Sequence, residues 1–149
     1  MEESFEAFTV LISKISRSIK RLKAGEMAQF KLRGTHVSCL YYLFISGSLT
    51  ASELCERCEE DKAAVSRSID YLETNGYIVC STTAAKRYKS PLRLTEKGQE
   101  LGRAVSERIE RIVAQASCGL DEAERESMYR ALTVISDNLE RIREKEKLL

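Results

Sequence analysis

The sequence is short of the residues that punctuate loops, with one proline and seven glycines among 149 residues. That scarcity leaves little room for a loop-rich fold. Aromatics make up 7% and tryptophan is absent, which argues against a β-sandwich or barrel built on aromatic strands. The longest apolar run, Val37 to Ile45, is interrupted by Ser38 and is too short to span a bilayer. The first residues are acidic and lack the basic-then-apolar layout of a signal peptide. Histidine occurs once, at His36, and there is no glycine-rich phosphate loop. With no Ser-His-Asp set and no metal quartet, catalysis has no candidate constellation, and neither metal nor cofactor is expected. These absences predict a cytosolic, non-enzymatic, mainly helical protein of about one domain's length.

What is present is ordinary for a globular chain: 32% charged and 43% hydrophobic residues, with a net charge of +1. The distribution of charge says more than its sum. From Lys14 to Arg33 the cations Lys14, Arg17, Lys20, Arg21, Lys23, Lys31 and Arg33 face the single acid Glu26. Between Cys80 and Leu94 stand Lys86, Arg87, Lys89 and Arg93 with no acid. Local basic blocks on a near-neutral chain suit a polyanion touching one face. The five cysteines are expected to be thiols. Cys55 and Cys58 form a C-x-x-C pair, but Cys39, Cys80 and Cys118 supply no second pair, so small buried hydrophobes are the expected role.

Phe5, Phe8, Ile12, Ile15, Ile19 and Leu22 alternate spacings of three and four, a stripe that predicts a long helix seeking a helical partner. Val37, Leu40, Tyr41, Leu43, Phe44 and Ile45 predict an almost wholly apolar helix central to the core. Thr50 with Glu53 reads as a capping box opening a short helix that runs to about Cys58. Asp61 caps the next helix, on which Val65, Ile69 and Leu72 share one face while Ala63, Ser66, Arg67 and Asp70 gather opposite. Asn75-Gly76 closes it. Tyr77–Cys80 and Ser90–Leu94 predict a β-hairpin around a basic loop. Thr95 then opens a helix with Leu101, Val105, Ile109 and Ile112, and a last helix carries Met128, Leu132, Ile135, Leu139 and Ile142.

A short capped helix followed by a second one with small and polar outer residues is a helix-turn-helix arrangement, and a basic hairpin beside it is a wing. Small side chains let a helix approach base edges in the major groove, while Lys62, Arg67 and the loop cations would neutralise phosphates. Asp61-Lys62-Ala63-Ala64-Val65-Ser66-Arg67-Ser68-Ile69-Asp70-Tyr71-Leu72-Glu73, followed by Asn75-Gly76-Tyr77-Ile78, resembles the recognition helix of MarR-type winged-helix regulators. Leu49-Thr50 with Glu53-Leu54, and Leu94-Thr95-Glu96-Lys97-Gly98, match the family's other landmarks in order and spacing. The resemblance covers almost the whole chain. It implies a homodimeric transcriptional regulator, commonly a repressor, bound to double-stranded DNA and relieved by a small ligand or by thiol oxidation. The expected division is a dimerisation helix over 1–34, a winged helix-turn-helix lobe over 35–98 and C-terminal dimerisation helices over 99–149.

The chain departs from the family at two places. Ala63-Ala64 stand where the family often has a Ser-Thr pair, so base contacts there would be apolar. In the wing, Lys86 and Tyr88 stand at the positions of the family's Asp-x-Arg, so that either Arg87 or Lys89 takes over or the wing grips only phosphates. The expected DNA-contacting set is therefore Lys62, Ala63, Ala64, Ser66, Arg67, Lys86, Arg87 and Lys89. By resemblance, the effector would meet residues between His36 and Tyr42, with His36 and Cys39 one turn apart and Tyr42 beyond them. Two alternatives stay open: a winged-helix protein-interaction module, which the acidic Glu56, Glu59, Glu60 and Asp61 would suit, and a cysteine-based redox-sensing regulator on the same scaffold.

Overall fold

The structure, a computed structural model, describes residues 5–81 and 89–147. The order is α1 (Phe5–Met27), a 3-10 turn (Ala28–Phe30), α2 (Gly34–Ser46), β1 (Ser48–Leu49), α3 (Ala51–Cys58), α4 (Lys62–Thr74), β2 (Ile78–Cys80), β3 (Leu92–Leu94), α5 (Glu96–Ala116) and α6 (Glu122–Lys147). The chain is thus mainly helical with one small sheet, as its periodicity predicts. The described residues fall into two compact units, one reaching to Arg108 and the other starting at Ile109.

In the first unit the core gathers around α2, whose Val37, Cys39, Leu40 and Leu43 are fully buried. Leu54 of α3, Val65, Ile69 and Leu72 of α4, Leu92 of β3 and Val105 of α5 close over it. Met27 and Leu32, on either side of the 3-10 turn, are also buried and anchor the end of α1. α1 runs through Gly25 and stops at Met27, after which Lys31 takes a left-handed φ of 56°.

The helix starts follow their caps. The Thr50 hydroxyl accepts from Glu53 N–H at 3.2 Å, and the Glu53 carboxylate accepts from Thr50 N–H at 2.8 Å. That reciprocal pair holds Glu53 below the usual carboxylate range, chiefly through the Thr50 backbone donor. Asp61 accepts from Ala64 N–H at 2.8 Å and so fixes the first turn of α4. Past α4, Gly76 supplies a φ of 75° that an L side chain rarely adopts.

The two predicted hairpin strands form, but they belong to a three-stranded antiparallel sheet in the order β1-β3-β2. Ser48 and Leu49 pair with Arg93 and Leu92, where the sequence reading places only the end of one helix and the start of the next. β2 pairs Ile78 with Leu94 and Cys80 with Leu92. β3 is therefore the central strand, and it buries Leu92 and Leu94 while Arg93 faces outward.

α1 leaves its stripe uncovered: Phe8, Ile12, Ile15, Ile19 and Leu22 are all exposed. α6 has no buried residue, and Leu132, Leu139 and Ile142 are exposed along it. Among the described residues no helix is long and apolar enough to cross a membrane.

Candidate nucleic-acid interface

α4 presents the face that its sequence foretells. Val65, Ser68, Ile69 and Leu72 are buried, and Lys62, Ala63, Ser66, Arg67 and Asp70 are exposed on the other side. Ala64 is half-buried on the flank between them. The outer face of the first two turns thus carries methyl and hydroxyl groups low enough for a close approach, with one long cation at Arg67. Lys89 is exposed just before Ser90 and β3. Lys86 and Arg87 lie outside the described residues.

Two depressions flank α4. On the α3 side a cavity of about 350 Å³ is walled by Ser52, Cys55, Lys62, Ser66 and Asp70 over an apolar floor of Val65, Ile69 and Leu92. On the other side a cavity of about 450 Å³ collects Lys31, Arg33 and Arg67 around His36 and Tyr71. The His36 and Tyr71 rings stack in parallel with centroids 4.2 Å apart. Tyr71 donates its hydroxyl hydrogen to the Lys31 carbonyl at 3.1 Å. Arg33 N–H donates to His36 Nδ1 at 3.0 Å. Burial, and then the positive charge of Arg33, push the His36 imidazole below its ordinary value, so it is neutral at pH 7 with Nδ1 as an acceptor. The sequence reading lists Lys31 and Arg33 in a basic block but does not bring them to Arg67; nothing in the pattern measures that separation.

The three residues expected to meet an effector do not share one cavity. His36 faces the cationic cavity beside α4. Tyr42 lines a larger cavity of about 770 Å³, together with Ile12, Ile15 and Ile19 of α1 and with Arg57 and Cys58 of α3. Burial, followed by the neighbouring Cys58, pushes the Tyr42 phenol up. Cys39 is fully buried, with its sulfur 3.9 Å from that of Cys58.

The cysteines are all free thiols. The C-x-x-C pair does not act as a unit: Cys58 meets Cys39 of α2, while Cys55 donates to the Glu60 carbonyl at 3.5 Å. Hydrogen bonding to Cys58, then burial, pushes the Cys39 thiol up, and the same contact pulls Cys58 down. Among the described residues no three His, Cys, Asp or Glu side chains gather as a metal site.

Residues 30–87, which include α2 to β2, match the model of the MarR family. No curated protein matches the chain. Among solved structures it is similar to a MarR family transcriptional regulator from Listeria monocytogenes complexed with a 26mer DNA. The two are 25% identical, the match covers 93% of this chain and 90% of that one, and the TM-score is 0.77. It is similar to Staphylococcus aureus MepR in its DNA complex, with 24% identity, 91% and 99% of the two chains covered and a TM-score of 0.77. A MarR family regulator from Neisseria meningitidis shares the fold at a TM-score of 0.80 over 95% and 96% of the two chains, with 19% identity. The family match over residues 30–87, the shared fold and the capped α3–α4 pair all point the same way: the chain resembles regulators of the MarR family.

Proposed function

We propose that the protein is a sequence-specific regulator of transcription that binds double-stranded DNA as a homodimer, represses, and is released by a small-molecule effector in the cytoplasm. The observation that carries this reading is the exposed face of α4, with Ala63, Ser66 and Arg67 on a helix whose start is fixed by Asp61. The Listeria and Staphylococcus relatives, solved with DNA, support the same partner here. In this reading Lys62, Ala63, Ala64, Ser66 and Arg67 meet the major groove, and the wing cations Lys86, Arg87 and Lys89 meet the flanking backbone. The uncovered stripes of α1 and α6 are the dimer surfaces. The cavity under α1, with Ile12, Ile15 and Ile19 on one wall and Tyr42, Lys20, Lys23 and Arg57 on the others, suits a small amphipathic effector with an apolar body and a polar or anionic group. Its wall includes Arg57 and Cys58 at the end of α3, so occupation would act directly on the helix-turn-helix. Nuclease footprinting on the DNA upstream of its own gene tests the reading. Two protected half-sites about one helical turn apart are expected; an unprotected or uniformly coated duplex contradicts it.

A second reading, redox control on the same scaffold, is favoured by the 3.9 Å contact between Cys39 and Cys58. Cys58, the thiol pulled down, would attack a hydroperoxide, taking one oxygen as sulfenic acid and releasing hydroxide or alkoxide. The Cys39 sulfur would then displace that oxygen as water, closing a disulfide between α2 and α3; the two thiols supply the two electrons that reduce the peroxide. Intact mass after mild peroxide should fall by two hydrogens and return with dithiothreitol, whereas Cys39→Ser, lacking the resolving thiol, should instead gain one oxygen as the Cys58 sulfenic acid. Thiols that remain free under that dose leave the effector reading alone.

A further inference from the structure

Three cations from two segments far apart in sequence converge beside α4. Lys31 follows the 3-10 turn, Arg33 immediately precedes α2, and Arg67 stands on α4 itself; all three line the same cavity, which has no acidic side chain in its wall. Among the described residues no carboxylate pairs with Lys31, Arg33 or Arg67. Gathering like charges is unfavourable unless an anion offsets it.

The cluster is also held in place. Tyr71 reaches from α4 to the Lys31 carbonyl, His36 stacks flat on Tyr71, and the Arg33 backbone is tied to His36. Lys31 itself sits at a φ of 56°, a conformation that a lysine holds only when its surroundings impose it, here with its N–H bonded to the Ala28 carbonyl at 3.0 Å. Because the buried His36 is neutral, the positive charge of the cavity resides on the side chains of Lys31, Arg33 and Arg67. The frame fixes the loop before α2 to the recognition helix, so the cations travel with α4 wherever it docks.

We propose that this cavity holds a backbone phosphate of the DNA strand that borders the groove entered by α4, with Lys31 and Arg33 as its donors and Arg67 bridging from the phosphate towards the bases. The proposal rests on the DNA-binding reading above and adds two residues to it. Phosphate contacts set register without reading sequence. Lys31 and Arg33 therefore act as positioning residues, and they distinguish backbone grip from base readout.

The test is anisotropy of a labelled duplex from the upstream DNA and of a scrambled duplex, across a salt series, with parent, Lys31→Ala, Arg33→Ala and Arg33→Lys. Each alanine variant should weaken both duplexes by the same factor, about tenfold, and lower the salt slope by about one. Arg33→Lys should restore most of the loss. Since the tie between Arg33 and His36 uses the backbone N–H, Arg33→Ala should keep the parent's urea midpoint, which separates a lost contact from a lost fold. Unchanged affinity and slope in both alanine variants, with the parent binding DNA, overturn the phosphate site alone. Loss confined to the specific duplex overturns it too, by assigning base readout instead. A parent protein that binds neither duplex removes the DNA reading and the site with it.

Discussion

Gly98→Ala should destabilise the lobe even though alanine is the better helix former. Gly98 lies buried in the first turn of α5, and a β-carbon there would collide with the Tyr77 carbonyl oxygen and stand 3.3 Å from Leu94 Cβ. The obstacle is backbone, and it is pinned. The Tyr77 carbonyl accepts from Thr95 N–H at 3.0 Å, while Tyr77 N–H donates to the Leu72 carbonyl at 2.8 Å. Helix propensity favours alanine by about 1 kcal/mol. Overpacking of this kind costs roughly 1–3 kcal/mol, and a clash with fixed backbone belongs at the top of that range. The net loss is about 2 kcal/mol, or a fall in Tm of about 4–8 °C for a chain of this size. Gly102→Ala is the milder comparison: its β-carbon would come to 3.1 Å from Phe44 Cβ and Cδ2 and 3.2 Å from Leu94 Cδ1, so its neighbours need to shift by only a few tenths of an ångström. That variant should stay within about 1 kcal/mol of the parent. Urea unfolding followed by circular dichroism at one fixed protein concentration makes the comparison. A Gly98→Ala protein as stable as the parent would refute the reasoning.

Three further outcomes are expected. Light scattering at micromolar concentration should give a dimer, because leaving the stripes of α1 and α6 in water costs several kcal/mol at about 25 cal/mol per Å²; a folded monomer contradicts this. His36 is held below its ordinary value of 6.5 in the folded chain, so the unfolded chain takes the proton first as pH falls. Its contribution to stability is then complete above pH 6.5 and is lost progressively below it. Urea midpoints from pH 7.5 to 5 should show this slope in the parent and a flatter one in His36→Phe; parallel slopes would remove His36 as the cause. Asp61→Ala should cost about 1 kcal/mol of stability through the lost cap of α4, with Asp61→Asn retaining most of it, as thermal unfolding would show.

Local signals were legible where one short stretch of chain decides the outcome. Thr50 with Glu53, Asp61 and Gly76 set helix ends within four residues of themselves, and the structure has those caps. The stripe of α1 and the two faces of α4 follow from a period that needs no tertiary information. β1 was not legible, because two residues carry no alternation and its pairing with β3 is a backbone contact across more than forty positions of chain. The partner of Cys58 was hidden for the same reason: C-x-x-C spacing suggests Cys55, yet packing of α3 on α2 delivers Cys39, nineteen positions away. Likewise Lys31 and Arg33 read as part of a basic run, and only the stack of His36 on Tyr71 brings them to Arg67. Resemblance to the family groups His36, Cys39 and Tyr42; α2 is covered on several sides, so His36 and Tyr42 line different cavities and Cys39 is buried.

The central claim, that α4 reads DNA, is tested most directly by the affinity ratio between upstream and scrambled duplexes for the parent and for Arg67→Ala at physiological salt. The parent should prefer the upstream duplex by about a thousandfold or more. Arg67→Ala should lose about 1–3 kcal/mol, more on the upstream duplex than on the scrambled one. Equal binding of both duplexes by the parent, or an Arg67→Ala protein that keeps the parent's ratio and affinity, would contradict the account.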